Sequence, residues 1–195
     1  MSVLVLAEHN NNELKTTTLN AITAASIIEK EIDVVVIGSS CDKVISDLQK
    51  IPNINKIISV DNNKYINPIA EFISPIIISL AEKYSHIIAP ASTYGKNIMP
   101  RVAALLDVSQ ISDVINIENE NTFVRPIYAG NAIATVQSSD KIKIITIRPT
   151  SFDPCVTDGG NANIEKLDFN NEINTTEFIS REENKSDRPE LGSAR

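Results

Sequence analysis

Two histidines, two cysteines and one hydroxyl-rich loop are the side chains of this 195-residue sequence whose type and setting most readily suggest chemistry. His9 follows Glu8 at the end of the apolar run Val3–Ala7. If the run is a strand of an open α/β sheet, the pair stands at its carboxyl end, where such sheets hold ligands. No partner nucleophile is spaced to complete a triad, so His9 reads first as a loop histidine with ordinary solvation and second as a ligand contact. His86 opens another apolar run and so lies at the opposite, amino edge, where it reads as a packing residue. Cys41 and Cys155 belong to no Cys-x-x-Cys pair and read as inert thiols of a reducing compartment. Two His and two Cys are too few for a zinc centre built from those ligands.

Phosphate chemistry has one candidate position. The chain has neither Gly-x-Gly-x-x-Gly nor Gly-x-x-x-x-Gly-Lys-Ser/Thr, and it also lacks a Gly-x-Ser-x-Gly elbow and a His-Glu-x-x-His helix. Ser92-Thr93-Tyr94-Gly95-Lys96-Asn97 leaves the carboxyl end of a strand and opens a helix, so its free N–H groups could face an anion or merely be capped by Ser92. Arg101, further along that helix, either lines the same face or is solvated. Asp42-Lys43 reads as first-turn helix charge. No catalytic, cofactor-binding or metal-ligating residue is assigned.

The elements that must position these groups are short β-branched runs alternating with helical spacing. That alternation indicates an α/β fold with a mostly parallel sheet flanked by helices. Strands are expected at Val3–Ala7, Ile32–Ile37, Lys56–Val60 and His86–Ala91. Helices are expected at about 18–30, from a Ser40 cap to Lys50, at 68–83 with an irregularity at Pro75, and from Gly95 to Leu106. Past Asp107 four runs follow without helices: Ser112–Glu118, Thr122–Tyr128, Ala132–Ser138 and Ile142–Arg148. They read as an antiparallel extension, with tight turns at Gly130-Asn131 and Ser139-Asp140. The expected organisation is an α/β domain over 1–150 and a polar tail and linker over 151–195, tied down in part by Ile164, Leu167, Phe169, Phe178 and Ile179.

Composition narrows the function classes. Apolar residues make up 42% and charged residues 22%, which suits a folded globular chain. The net charge is −7. Residues 150–195 carry ten acidic and five basic side chains, so the excess acid is concentrated in the tail. An acidic chain without tryptophan is a poor match for a phosphate backbone or for stacked bases, which argues against nucleic acid as partner. The run from Phe72 to Ala81 is about half the length needed to cross a bilayer, and the N-terminus lacks the basic region of a signal peptide.

Several longer strings resemble one family. They are Val3–His9 (Val-Leu-Val-Leu-Ala-Glu-His), Ile22–Ala25, Cys41–Val44, Gly95–Ala104 (Gly-Lys-Asn-Ile-Met-Pro-Arg-Val-Ala-Ala), Ile111–Val114, Thr122–Ala132 with its Tyr-Ala-Gly-Asn, Thr150–Asp153, and Lys185–Leu191 (Lys-Ser-Asp-Arg-Pro-Glu-Leu). In this order the sequence resembles the N-terminal domain of the electron transfer flavoprotein alpha subunit. The resemblance implies an adenine-nucleotide-hydrolase-like, Rossmann-like fold and a heterodimer with a beta subunit. The heterodimer would carry FAD, accept electrons from acyl-CoA and other primary dehydrogenases, as in fatty acid β-oxidation, and deliver them to a membrane quinone reductase, with AMP in the beta subunit.

The resemblance also implies that most FAD contacts lie in a second domain beginning near Leu191. No flavin-binding residue can therefore be carried over to a position here, and this chain alone is expected to bind no FAD. The implied location is the bacterial cytoplasm, or the mitochondrial matrix in a eukaryote. The alternative is a free-standing adenine-nucleotide-binding or stress-protein-like domain that uses the loop at 92–97, because a shared fold does not fix function.

Overall fold

A computed structural model describes residues 2–170 and 175–182. The Lys185–Leu191 string and residues 171–174 of the expected polar tail lie outside the described residues. In chain order the elements are β1 (Val3–Leu6), α1 (Thr16–Ile28), β2 (Ile32–Gly38), α2 (Asp42–Gln49), β3 (Ile54–Asp61), α3 (Ala70–Ala81), β4 (His86–Pro90), α4 (Thr93–Leu105), β5 (Gln110–Val114), β6 (Asn116–Asn119), β7 (Thr122–Ile127), β8 (Ala132–Gln137), β9 (Lys143–Ile147) and β10 (Asn163–Lys166).

Seven strands form one parallel sheet in the order β10-β3-β2-β1-β4-β9-β5, and β6-β7-β8 form a small antiparallel sheet. β1 and β4 are buried along their whole length because helices cover both faces, and this is why their sequences run apolar without alternation. Successive side chains still divide between the faces. Val3, Val5 and Ala7 join a cluster with Ala21, Ile22 and Ala25 of α1, while Leu4 and Leu6 join Ile73, Ile77, Ile98 and Val102 of α3 and α4. Pro75 and Pro100 lie inside α3 and α4, which remain continuous through them.

The antiparallel half is smaller than the sequence indicates. Lys143–Ile147, expected to continue the antiparallel run, pairs parallel with both β4 and β5 and completes the large sheet. Ser112–Glu118 is two strands. Asp113 sits at φ 59, and its carboxylate is held by the Arg148 guanidinium, so the chain breaks between β5 and β6. The tight turn expected at Gly130-Asn131 is a left-handed turn over Tyr128, Ala129 and Gly130, all at positive φ. Ser40 also differs from expectation. It is left-handed at φ 57 and does not cap α2, whose N-cap is Cys41.

Part of the stretch read as polar tail contributes β10, the edge strand on β3. Between β9 and β10 the chain crosses the helices on one face of the sheet. There Asn20 Nδ2 donates to the Phe152 carbonyl at 2.6 Å, Cys155 N to Leu19 O at 3.3 Å and Gly160 N to Lys50 O at 2.7 Å. Leu167 and Phe169 pack on the α3–α4 side, whereas Ile164, Phe178 and Ile179 are exposed.

Candidate functional site

β1 and β4 are neighbours although the chain leaves them toward opposite faces of the sheet, which makes their carboxyl ends the topological switch point where α/β sheets hold ligands. A cleft of about 660 Å³ lies there, lined among others by Glu8, His9, Tyr65, Tyr94, Asn97 and Arg181. The sequence reading placed His9 and the 92–97 loop at this edge. The structure brings them together and adds Tyr65 and Arg181, which no local motif marks.

Each group is held by the protein itself. His9 is not the solvated loop histidine expected. Its Nδ1 accepts from Asn11 N at 3.0 Å, and its Nε2 is buried without a hydrogen-bond partner among the described residues. Burial lowers its pKa to about 4, with the backbone of Ile37 opposing, so the ring is neutral at pH 7. A Glu8 carboxylate oxygen accepts from Thr17 Oγ1 at 2.7 Å. Burial, with Glu8 and Cys41 adding to it, raises the Tyr94 phenol well above its usual range.

Burial and then the Asp61 charge push Cys41 up to about 11, and burial pushes Cys155 to about 11, so neither thiol is a ready nucleophile. Among the described residues no three His, Cys, Asp or Glu side chains are grouped to hold a metal ion.

The edge does not offer a diphosphate cradle. Asp61 accepts from Ser40 N at 2.9 Å and from Cys41 N at 3.3 Å, placing an internal carboxylate where a helix start would meet an anion. A Cβ on Gly38 would stand 2.4 Å from Asn11 Oδ1, 2.6 Å from Cys41 Sγ and 2.8 Å from His9 Cε1, so the room left by this glycine holds the chain's own side chains. A Cβ on Gly95 would stand 1.9 Å from the Pro90 carbonyl oxygen, so this glycine seats α4 on β4. In the 92–97 loop Ser92 Oγ accepts from Gly95 N at 3.3 Å, while Thr93, Tyr94 and Asn97 face the cleft. At the start of α2 and beneath Gly95 the space a phosphate would need is thus taken by the chain's own atoms.

The remaining sequence candidates lie elsewhere. Arg101 reaches Glu71 of α3 at 3.5 Å rather than lining the cleft. Asp42 opens the first turn of α2, as its charge suggests. His86 is the packing residue expected: it is 1% exposed, within 2.6 Å of the Glu120 carbonyl through Nε2, and edge-on to the Phe123 ring. Among the described residues no helix is long and apolar enough to cross a membrane.

The sequence model of the electron transfer flavoprotein domain matches residues 3–172. The chain belongs to that family. It is 46% identical to the electron transfer flavoprotein subunit alpha of Pseudomonas aeruginosa over 195 residues, covering all of this chain and 63% of that protein. It is 45% identical to the mitochondrial electron transfer flavoprotein subunit alpha of Dictyostelium discoideum, covering 98% of this chain and 59% of that one. The alpha subunit of Bradyrhizobium diazoefficiens is 41% identical over the whole chain. The chain thus spans about three-fifths of the length of the curated alpha subunits it matches. Of the strings noted in the sequence, those within the described residues fall on β1 and the loop after it, α1, the start of α2, α4, β5, β7 with the turn into β8, and the stretch after β9.

Proposed function

We propose that this chain is the scaffold and docking part of an electron transfer flavoprotein alpha subunit, with the flavin bound outside it in the assembled heterodimer. The observation carrying this reading is that the carboxyl edge of β2 and β3, beside the switch-point cleft, is filled by the protein's own atoms: Asp61 on the start of α2, with Asn11, His9 and Cys41 packed around Gly38. A fold that elsewhere binds nucleotides here uses that edge to hold itself together. In a flavoprotein the cofactor performs the redox chemistry, and protein supplies orientation. FAD, the AMP of the beta subunit, and the exchange of electrons with dehydrogenases and a quinone reductase then belong to the complete heterodimer. Residues 1–150 would form the docking body, and the segment from 151 would lead from it while lending β10 to its sheet.

Purification and calorimetry test this reading. The isolated chain is expected to be colourless after gel filtration and to show no heat of binding with AMP or ATP. A stoichiometric flavin band, or saturable 1:1 nucleotide binding, would overturn it.

A further inference from the structure

After β10 the chain meets the carboxyl edge of the large sheet at two places. β10 runs parallel to β3 and so delivers the chain to the edge where the switch-point cleft lies. There Leu167 N donates to Ser59 O at 2.9 Å, and the Phe169 carbonyl accepts from Tyr65 Oη and from Lys64 Nζ, each at 3.4 Å. Tyr65 is itself a wall of the cleft. Further along, Arg181 lines the same cleft, although residues 175–182 form no helix or strand and are exposed. Arg181 therefore stands in the mouth of the cleft rather than in its depth.

The sequence sets that side chain apart. Between Lys166 and Lys185 the chain carries five acidic residues, Asp168, Glu172, Glu177, Glu182 and Glu183, and one basic residue, Arg181. The cleft suits a guanidinium. Its charged lining is Glu8, Lys15 and Arg181, and the rest of its polar lining is uncharged, His9 included. Thr17 Oγ1 donates to one oxygen of the Glu8 carboxylate. The side chains of Thr93, Tyr94 and Asn97 face the cleft and make no hydrogen bond among the described residues. A guanidinium presents five N–H donors in a planar fork and needs several acceptors at once, and carboxylate, hydroxyl and amide oxygens are what this cleft offers. Burial raises the Tyr94 phenol, so it stays protonated at pH 7 and brings no second negative charge.

We propose that residues 175–182 form a strap across the switch-point cleft, with the Arg181 side chain as the cleft's internal occupant. The position at which an α/β sheet receives a foreign ligand is then taken by the chain's own tail, and an external molecule enters only by displacing it. A tethered group competes at an effective concentration on the order of millimolar. Weak external ligands are thereby kept out, while a tight one, or a partner that draws the tail away, opens the cleft. The strap goes beyond the scaffold reading and does not depend on it, because it concerns what fills this cleft and not where the flavin lies.

Nuclear magnetic resonance of the full 195-residue chain is the test. In the wild type, nuclear Overhauser contacts are expected between the Arg181 side chain and at least one of the Tyr65, Thr93 and Tyr94 side chains, a readout that needs no variant. A neutral gadolinium chelate in the solvent then reports how far the cleft is shielded, through relaxation of the Tyr94 ring signals. Arg181→Ala should raise that relaxation at least about twofold, the change expected when a strap seated in half or more of the molecules is removed. Glu182→Gln, at the neighbouring exposed position, should leave it as in the wild type. Absence of the Arg181 contacts, or a Tyr94 relaxation unchanged by Arg181→Ala, overturns the strap. An equal rise in Glu182→Gln overturns the assignment of the seat to the guanidinium. None of these outcomes bears on flavin binding, which absorbance reads separately.

Discussion

Stability between pH 4 and pH 6.5 should depend on His9. The folded protein holds this ring neutral with a pKa of about 4, against 6.5 for a free histidine, and burial is the main cause. In that interval the unfolded chain binds a proton that the native chain does not, so native stability is full above pH 6.5 and declines as pH falls toward 4. Below pH 4 both states are protonated and the decline from this group ends. A difference of 2.5 units corresponds to about 3 kcal/mol at most, a large share of the roughly 5–15 kcal/mol that holds a domain folded.

Carboxylates and His86 titrate nearby, so the measurement must be a difference between two proteins. His9→Asn keeps a side-chain acceptor for the Asn11 N–H and cannot titrate in this interval. Urea unfolding of both proteins at pH 7, 6, 5 and 4 should show the wild type losing more stability than the variant, with the gap between them changing by up to about 3 kcal/mol. A gap that stays constant from pH 7 to 4, or an NMR titration of the His9 ring near pH 6.5, would refute the buried neutral histidine.

Gly95→Ala places a methyl group 1.9 Å from the Pro90 carbonyl oxygen, so α4 must lift from β4; a loss of at least about 3 kcal/mol is expected, and an unchanged melting temperature would refute that packing. Gly130→Val puts a β-branched residue at φ 92 in open space, so the expected cost of about 1–2 kcal/mol is backbone strain alone; a wild-type melting temperature would count against the left-handed turn. Phe123→Ala empties a fully buried site beside His86 and should cost about 3–5 kcal/mol in denaturant melts. Amides of Ile164 to Leu167 should exchange more slowly than those of 175–182, because β10 and the bond from Leu167 N to Ser59 O protect the first group; equal rates would deny the edge pairing.

Much of the large sheet is legible from residues because its inner strands have to be apolar on both faces: Val3–Leu6, Ile32–Ile37 and His86–Ala89 can hardly be read otherwise. Lys143–Ile147 looks the same locally, yet its place depends on β4, more than fifty residues earlier in the chain, and no spacing within the run names that partner. The break at Asp113 is hidden because Val114, Ile115 and Ile117 make Ser112–Glu118 read as one β-branched run; the left-handed residue is stabilised by Arg148, which is remote in sequence. β10 has four exposed residues and so no apolar period to detect. Glu8-His9 and the 92–97 loop are legible as a candidate site from their positions after strands. That the His9 ring is half-buried is not, because what it packs against includes Ile37 and Gly38 at the end of β2, remote from it in sequence.

The pairing of β10 with β3 bears on how the chain is made. Synthesis runs from the N-terminus, so β1, β2 and β3 leave the ribosome roughly a hundred residues before the strand that covers the outer side of β3. Until Lys166 emerges, Lys56–Ser59 present an uncovered row of main-chain groups beside a nascent apolar sheet, the kind of edge that recruits chaperones or stray chains. The segment that crosses α1 and α2 and then lays β10 on β3 thus acts as a late closure, and shortening it would harm the yield of folded protein before it harmed the stability of what had folded.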